Sequence, residues 1–522
     1  MRTVDPAVWS KYKAKSGVKL SWQQAESLEE RLRRSLVDAF KEYVTHCTIK
    51  GVRFATDKDS PTAMRWCYRI IMLLLMIWGS SWVAFNCYRA RVRPPLQINL
   101  QDSEGAPSVP FPAVGICSNC LVSEKALQLY ADELVAKDNN RSLSREDIKT
   151  YLKNFGAMIT SSRPKNEDLQ FLRFLYKIDN NFNITDLMYK LAPKCSSILK
   201  KCSWRGRLID CQIMFAERAT PLGFCCVFNS RYYPVDMNNG AKTLDRTGVN
   251  HGLLVVVKEN PDDFAVIRRP TLIGLDVMVF DGDEYPLLES GAVRTYCAGI
   301  NDSVYFKLEA HAQYVADSVE YFDEERRGCR ISQSPRSSFA WCLTECRRAV
   351  TMAICNCVPF YLPRNATDIV CTTEHLQCLY KHREKMRYYY PGDMQDASLG
   401  EELQDSQSCP ACEPDCARIY HSANAFHTLY YRSEKLFSNQ FRLAVSLANT
   451  TVLRFYYTTL KHQVYNVEIN MSWYEAFATI SCHICFMLGV SLISVAELVF
   501  HLTFRWVYHF IRRSRRIKRR DT

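Results

Sequence analysis

The pattern of hydrophobic and polar positions divides this 522-residue chain into five zones. An uncharged apolar run, Ile70–Tyr88, stands between Arg69 and Arg89. A second, Ala476–Phe504, stands between Glu475 and Arg505, and its one acid is Glu497. At a rise of about 1.5 Å per residue, each is long enough to cross a hydrocarbon core of about 30 Å. The pattern predicts an N-terminal tail over residues 1–65, a transmembrane helix over 66–88, an extracellular domain over 89–474, a second transmembrane helix over 475–504 and a basic tail over 505–522. The first tail is polar, with a helix expected around Glu26 to Tyr43. In the large middle zone, apolar residues fall at helical spacing from about Ser123 to Leu199. From about Gly223 to Lys307 they form strand-like runs, such as Leu253-Leu254-Val255-Val256-Val257 and Val277-Met278-Val279-Phe280. Cysteines crowd Cys329 to Cys416, and a further β-rich stretch runs from Thr450 to Val467.

Composition adds the compartment. Of the 23 cysteines, all but Cys47, Cys67, Cys87, Cys482 and Cys485 lie between the apolar runs. That clustering marks an oxidising, extracellular setting. The sequons at Asn140, Asn183, Asn301, Asn365, Asn449 and Asn470 lie there too and are candidate glycosylation sites. The first 60 residues carry no apolar core of a cleavable signal, so the first span is expected to serve as signal and anchor together. Residues 1–65 hold 13 Lys/Arg against 8 Asp/Glu, and residues 505–522 hold 8 against 1, so the tails account for the whole net charge of +12. Positive charge beside apolar spans marks the cytoplasmic side, which places both termini in the cytoplasm of a two-span membrane protein and makes nucleic acid an unneeded partner. The run Arg512-Arg513-Ser514-Arg515-Arg516-Ile517-Lys518-Arg519-Arg520 is read as a stop-transfer anchor on anionic lipid.

The cysteine spacing is the most specific ectodomain signal: Cys342-x3-Cys346-x8-Cys355-x-Cys357, then Cys371, Cys378, Cys409, Cys412 and Cys416. Zinc competes as a reading of close cysteine pairs, but thiols outside the cell oxidise, so disulfides are expected and no metal or cofactor. The chain here resembles the degenerin/epithelial sodium channel superfamily, most nearly its arthropod pickpocket branch. The resemblance rests on Phe111-Pro112-Ala113-Val114-Gly115-Ile116-Cys117, on Cys202-Ser203-Trp204 with Cys211 and Gly223-Phe224-Cys225-Cys226-Val227-Phe228-Asn229, and on Trp341-Cys342 through Cys357-Val358-Pro359-Phe360-Tyr361-Leu362-Pro363. It closes on Cys412-Glu413-Pro414-Asp415-Cys416. It implies an α+β membrane protein with two transmembrane helices flanking a large, disulfide-rich, hand-shaped ectodomain. By order it implies the pairs Cys117–Cys225, Cys202–Cys211, Cys329–Cys416, Cys342–Cys412, Cys346–Cys409, Cys355–Cys378 and Cys357–Cys371. Cys120, Cys195, Cys226 and Cys297 stay open to three full pairings.

The second apolar run carries the chemistry. Ala478, Cys482, Cys485 and Gly489 fall on one helix face, and all are small. Such a face suits close helix packing in lipid, and equally a narrow pore. Ser494, Glu497 and His501 form a second face, turned from the first by about 140° at about 100° per residue. A straight helix cannot aim both faces at one axis, whereas a break near Gly489-Val490-Ser491 allows it, provided the broken backbone lines water or ions. The resemblance implies a selectivity filter at Gly489, Val490 and Ser491, with Val where the family has Ala. It implies a gating position at Ala478 and an acidic cytoplasmic position at Glu497. It also implies a gating motif before the first span, which is degenerate here: Lys50 stands where the family has His, followed by Gly51.

The function implied is a pore-forming subunit of a trimeric, voltage-independent, sodium-selective and amiloride-sensitive channel, assembled from identical or related subunits. An ATP-gated two-span channel shares the topology but lacks this cysteine spacing and the Gly-x-Ser…Glu arrangement. An ectonucleotidase needs glycine-rich phosphate loops with carboxylates, and Gly282 in Val279-Phe280-Asp281-Gly282-Asp283-Glu284 is a lone turn glycine. The acidic clusters Asp262-Asp263 and Asp323-Glu324-Glu325 are proton-sensor candidates, with solvated loops the commoner reading.

Overall fold

The computed structural model describes residues 28–49, 61–92, 96–102, 108–138, 143–163, 167–233, 235–236, 240–270, 274–332, 334–390, 406–429, 449–461, 463–469 and 473–518. Lys50, Gly51, Asn140 and Asn470 lie outside them. The chain divides into one unit of residues Leu96–Ile469 and another of Met1–Pro95 with Asn470–Thr522.

The larger unit is built on two sheets and a helical cluster. The 14-residue strand Asp302–Val315 organises the first sheet. One of its edges takes Arg418–Leu429 antiparallel. The other is shared end to end by two strands running parallel to it, Thr450–Tyr457 against its first half and Gln463–Ile469 against its second. Leu253–Lys258, Leu199–Trp204 and Arg207–Ile209 extend the sheet beyond Thr450–Tyr457, and Leu96–Asp102 extends it beyond Gln463–Ile469. The second sheet orders Arg294–Gly299, Gly274–Phe280, Ala113–Ser118, Gly223–Phe228 and Phe215–Thr220. Alternate residues of the two sheets share one core: Val114, Ile116, Val277 and Val279 from the second meet Val255, Val257, Phe306, Leu453 and Phe455 from the first. Phe306 and Phe455 stack at 4.4 Å across the parallel pair. Each such side chain contributes about 1.5–3 kcal/mol by leaving water.

The helical spacing after Ser123 corresponds to Glu124–Lys137, Arg145–Asn154, Glu167–Ile178 and Ile184–Leu191, which bury Leu127, Leu134, Ile148, Leu152, Phe171 and Leu187 together. One acid of the first acidic cluster holds a helix start. Asp263 accepts from the Lys125 backbone N–H and the Ser123 hydroxyl, both at 2.8 Å, at the start of Glu124–Lys137. Asp323 is the residue before the short helix Glu324–Arg327. The cysteine-dense stretch holds a helix, Phe339–Cys355, started by Ser338, whose hydroxyl accepts from the Trp341 N–H at 3.2 Å.

Disulfides join Cys117–Cys225, Cys202–Cys211, Cys329–Cys416, Cys342–Cys412, Cys346–Cys409, Cys355–Cys378 and Cys357–Cys371. An eighth, Cys195–Cys226, closes one of the pairings left open by the sequence, and Cys120 and Cys297 keep free thiols. Of the described sequons, Asn183 caps Ile184–Leu191 through a bond from Thr185 N at 2.9 Å, and the Asn301 side-chain Oδ1 accepts from Asn449 N at 3.1 Å.

The turn Asp281-Gly282-Asp283-Glu284 shows why glycine stands there. A Cβ at Gly282 would lie 2.6 Å from the Asn229 carbonyl oxygen. The turn also half-buries two acids. Burial pushes Asp281 up to about 6 and Glu284 up to about 8, the latter with Asp281 and Asp415 adding repulsion.

In the other unit, α1 is Leu28–His46 and α2 is Thr62–Val92. Among the described residues, Thr62–Arg89 is the one helix long and apolar enough to cross a membrane. The second apolar run is not one helix. It is divided into α3, Trp473–Leu488, and α4, Leu492–Phe500, of 16 and 9 residues. A π-helical turn, His501–Arg505, then leads into α5, Trp506–Lys518.

Two outcomes are expected of the full chain in detergent. Replacing Cys195 and Cys226 together by serine lowers unfolding stability by about 3–4 kcal/mol, as expected for a bridge of 31 residues. Peptide mapping without reduction recovers Cys195 linked to Cys226, with Cys120 and Cys297 alkylated; a different pairing contradicts the structure. The second outcome concerns pH. Glu284 titrates near 4.5 when unfolded and near 8 when folded. Its protonated form therefore favours the fold, and the contribution present below about pH 4.5 is lost as pH rises through about 8. The Glu284→Gln variant should flatten the fall in melting temperature over that window; an unchanged slope refutes the assignment.

Candidate functional site

The break in the second apolar run follows from local chemistry. Gly489 N–H closes the last turn of α3 on Cys485 O at 2.8 Å. Gly489 then turns to φ +63°, a left-handed conformation that costs a residue with a Cβ about 1–2 kcal/mol. A Cβ there would meet nothing within 4 Å, so the dihedral selects glycine and crowding does not. Val490 and Ser491 are likewise outside helix. Ser491, at φ −104° and ψ 168°, starts α4: its hydroxyl accepts from Ser494 N at 3.2 Å, and the Ser494 hydroxyl accepts from Ser491 N at 3.3 Å. Two serines three apart thus supply a reciprocal cap in place of the missing helical bonds.

The residues named from the sequence fall on either side of this break. Ala478, Cys482 and Cys485 lie on α3 with exposed side chains. Ser494 is buried on α4, and Glu497, one turn on, is half-buried. These two are brought together with a residue the sequence reading passed over. Thr48, just beyond α1, donates from its backbone N–H at 3.1 Å and from its hydroxyl at 2.9 Å to the same Glu497 oxygen, Oε2. Its hydroxyl also lies 2.9 Å from Ser494 Oγ. His501 packs edge-on against Tyr43 of α1 at 5.7 Å between ring centres. The signal available in the sequence was position alone: Thr48 stands two residues before the Lys50-Gly51 pair. A half-buried carboxylate that takes two donors on one oxygen can still accept a donor or a cation on the other.

Residues 43–501 match the family model described as amiloride-sensitive sodium channel. A sodium channel protein Nach of Drosophila ananassae is 22% identical over 371 residues, covering 69% of this chain and 69% of that protein. Nach of Drosophila melanogaster is 22% identical over 368 residues, covering 65% of this chain and 66% of that protein, so the chain spans about two thirds of the length of these relatives. Pickpocket protein 28 of Drosophila melanogaster is 21% identical over 517 residues, covering 89% and 78%. A cryo-EM structure of a proton-activated chloride channel aligns with 84% of this chain and 98% of its own at 8% identity, with a TM-score of 0.26, too low to carry an argument. The family match runs from the end of α1, through both sheets and every disulfide, to the residue after α4. The chain therefore belongs to the amiloride-sensitive sodium channel family, whose members are ion channels and not enzymes.

Proposed function

We propose that this chain is a pore-forming subunit of a sodium-selective, voltage-independent and amiloride-sensitive channel of the plasma membrane, three subunits to a pore, either identical or related. The observation that carries the reading is the capped break at Gly489-Val490-Ser491 inside an otherwise apolar segment, with Glu497 two turns further on. Non-helical backbone at membrane depth is tolerated where it lines protein or water, and an intramembrane acid costs several kcal/mol unless it serves an ion or a partner. With α3 and α4 together counted as the second span, both tails face the cytoplasm, which agrees with their excess of positive charge. The reading assigns Gly489, Val490 and Ser491 to the filter, where backbone and hydroxyl oxygens replace water around sodium. It assigns Ala478, with Cys482 and Cys485, to the narrow part of the path. Glu497 holds cations at the cytoplasmic end, where its charge acts strongly in a low-dielectric passage. Lys50 and Gly51 belong to the gating segment that precedes the first span. The large loop carries the disulfides and the glycans.

Topology is tested with tags at each terminus: antibodies reach neither in intact cells and both after permeabilisation, and an externally accessible C-terminus contradicts the two-span arrangement. The pore is tested in any subunit combination that conducts. Gly489→Cys and Ser491→Cys should change the sodium-to-potassium permeability ratio. Glu497→Gln should lower unitary conductance about twofold or more. Ala478→Val, which crowds the closed packing, should raise resting sodium current. Parental reversal potential, conductance and resting current in all of these variants, at normal surface expression, would show that this segment does not line the pore.

A further inference from the structure

Two charged stripes face each other beyond the cytoplasmic end of α4. On α1, Asp38 and Glu42 stand four residues apart. Arg505, His509 and Arg513 stand at the same interval along α5 and the turn before it. Glu42 lies between Arg505 at 3.1 Å and His509 at 2.7 Å, and Asp38 pairs with Arg513 at 3.2 Å. The order is antiparallel, so the start of α5 meets the end of α1. Outside that order, Trp506 Nε1 also donates to Leu32 O at 3.3 Å. Hydrogen bonding from His509, opposed by partial burial and helped by Arg505, holds the Glu42 carboxyl below the usual carboxylate range. Glu42 is thus charged and engaged, and it is 24% exposed.

The chain between this clamp and the acid of α4 is short. Thr48 stands six positions after Glu42 and places both its donors on Glu497 Oε2. Whatever fixes α1 against α5 also fixes how much of the Glu497 charge is already taken. We propose that Glu42 is a positioning residue for the ion path: by joining α1 to Arg505 and His509 it holds Thr48 on Glu497, and so sets the negative charge that Glu497 presents to permeating sodium. The inference rests on the assignment of Glu497 to the pore. It adds that the N-terminal helix tunes that charge through a contact between the two tails.

A free carboxylate concentrates cations at a pore mouth, and salt screens the effect: the Debye length falls from about 30 Å at ~0.01 M to about 8 Å at ~0.15 M. Inside-out patches give unitary conductance in low and in high cytoplasmic sodium. Thr48→Val, which removes a donor and no charge, should raise conductance about twofold in low sodium and much less in high sodium. Glu42→Gln should act in the same direction and add little to Thr48→Val, because both release one contact. A long-range charge effect of Glu42 would act oppositely, since losing an acid lowers local cation concentration. The exchanged pair, Glu42→Arg with Arg505→Glu, keeps the net charge and should restore parental conductance. Parental values in Thr48→Val and Glu42→Gln, with Glu497→Gln still altered, overturn this inference and leave the pore assignment standing. Parental values in Glu497→Gln remove the assignment and the inference together. A fall in conductance on Glu42→Gln, or an exchanged pair that stays altered, overturns the positioning role. If Glu42→Gln does not reach the surface, Thr48→Val alone decides.

Discussion

The pairing of the first strand of the ectodomain with its last is the constraint from which the rest follows. Leu96–Asp102 runs antiparallel to Gln463–Ile469 in unbroken register, so Leu96 faces Ile469. The 360 residues between these two strands therefore leave and return at one point of one sheet. Contacts of such sequence separation are entropically costly to form, and they need a strong local framework. The strand Asp302–Val315 supplies it. Its 14 residues template both Thr450–Tyr457 and Gln463–Ile469 along a single edge, and the break between those two strands lets the sheet continue in two directions. The same strand places Phe306 on Phe455 in the core between the sheets.

The disulfides follow the same economy of position. In Phe339–Cys355, Cys342 and Cys346 lie one helical turn apart and take Cys412 and Cys409 in reverse order, so one returning segment is held at two points. Cys225 and Cys226 are adjacent on a strand and face opposite sides of it. One bonds Cys117 within the sheet, and the other bonds Cys195 beside the helices. The half-buried acids Asp281 and Glu284 sit in a turn whose glycine lets the chain pass close to Asn229, so their partial desolvation is a consequence of packing.

In the smaller unit, serine chemistry permits what the apolar pattern opposes. A run of this length reads as one helix, yet Gly489 ends it and the Ser491–Ser494 pair restarts it. The break separates a face of small residues from a face bearing Glu497, and it leaves the second face open to Thr48. Contact between the tails then reaches a residue deep in the apolar run through one short segment of chain.

The sequence by itself determined whatever depends on neighbours along the chain. The apolar runs, the basic flanks, the helical spacing after Ser123, the strand runs such as Leu253–Lys258 and the left-handed preference of Gly489 are local properties, and each is visible as a pattern or a residue type. Tertiary structure alone decided the rest. Cys195, Cys226, Cys120 and Cys297 are equivalent as thiols, and only the approach of strand to helix joined the first two. Nothing near Asp281 or Glu284 in the sequence marks them as desolvated acids, and nothing near Asp263 marks it as the partner of Ser123 and Lys125. Thr48 and Glu497 are 449 positions apart, and Glu42 and His509 are 467 apart. No periodicity spans such distances, because what brings these groups together is the packing of whole helices and not the preference of any residue.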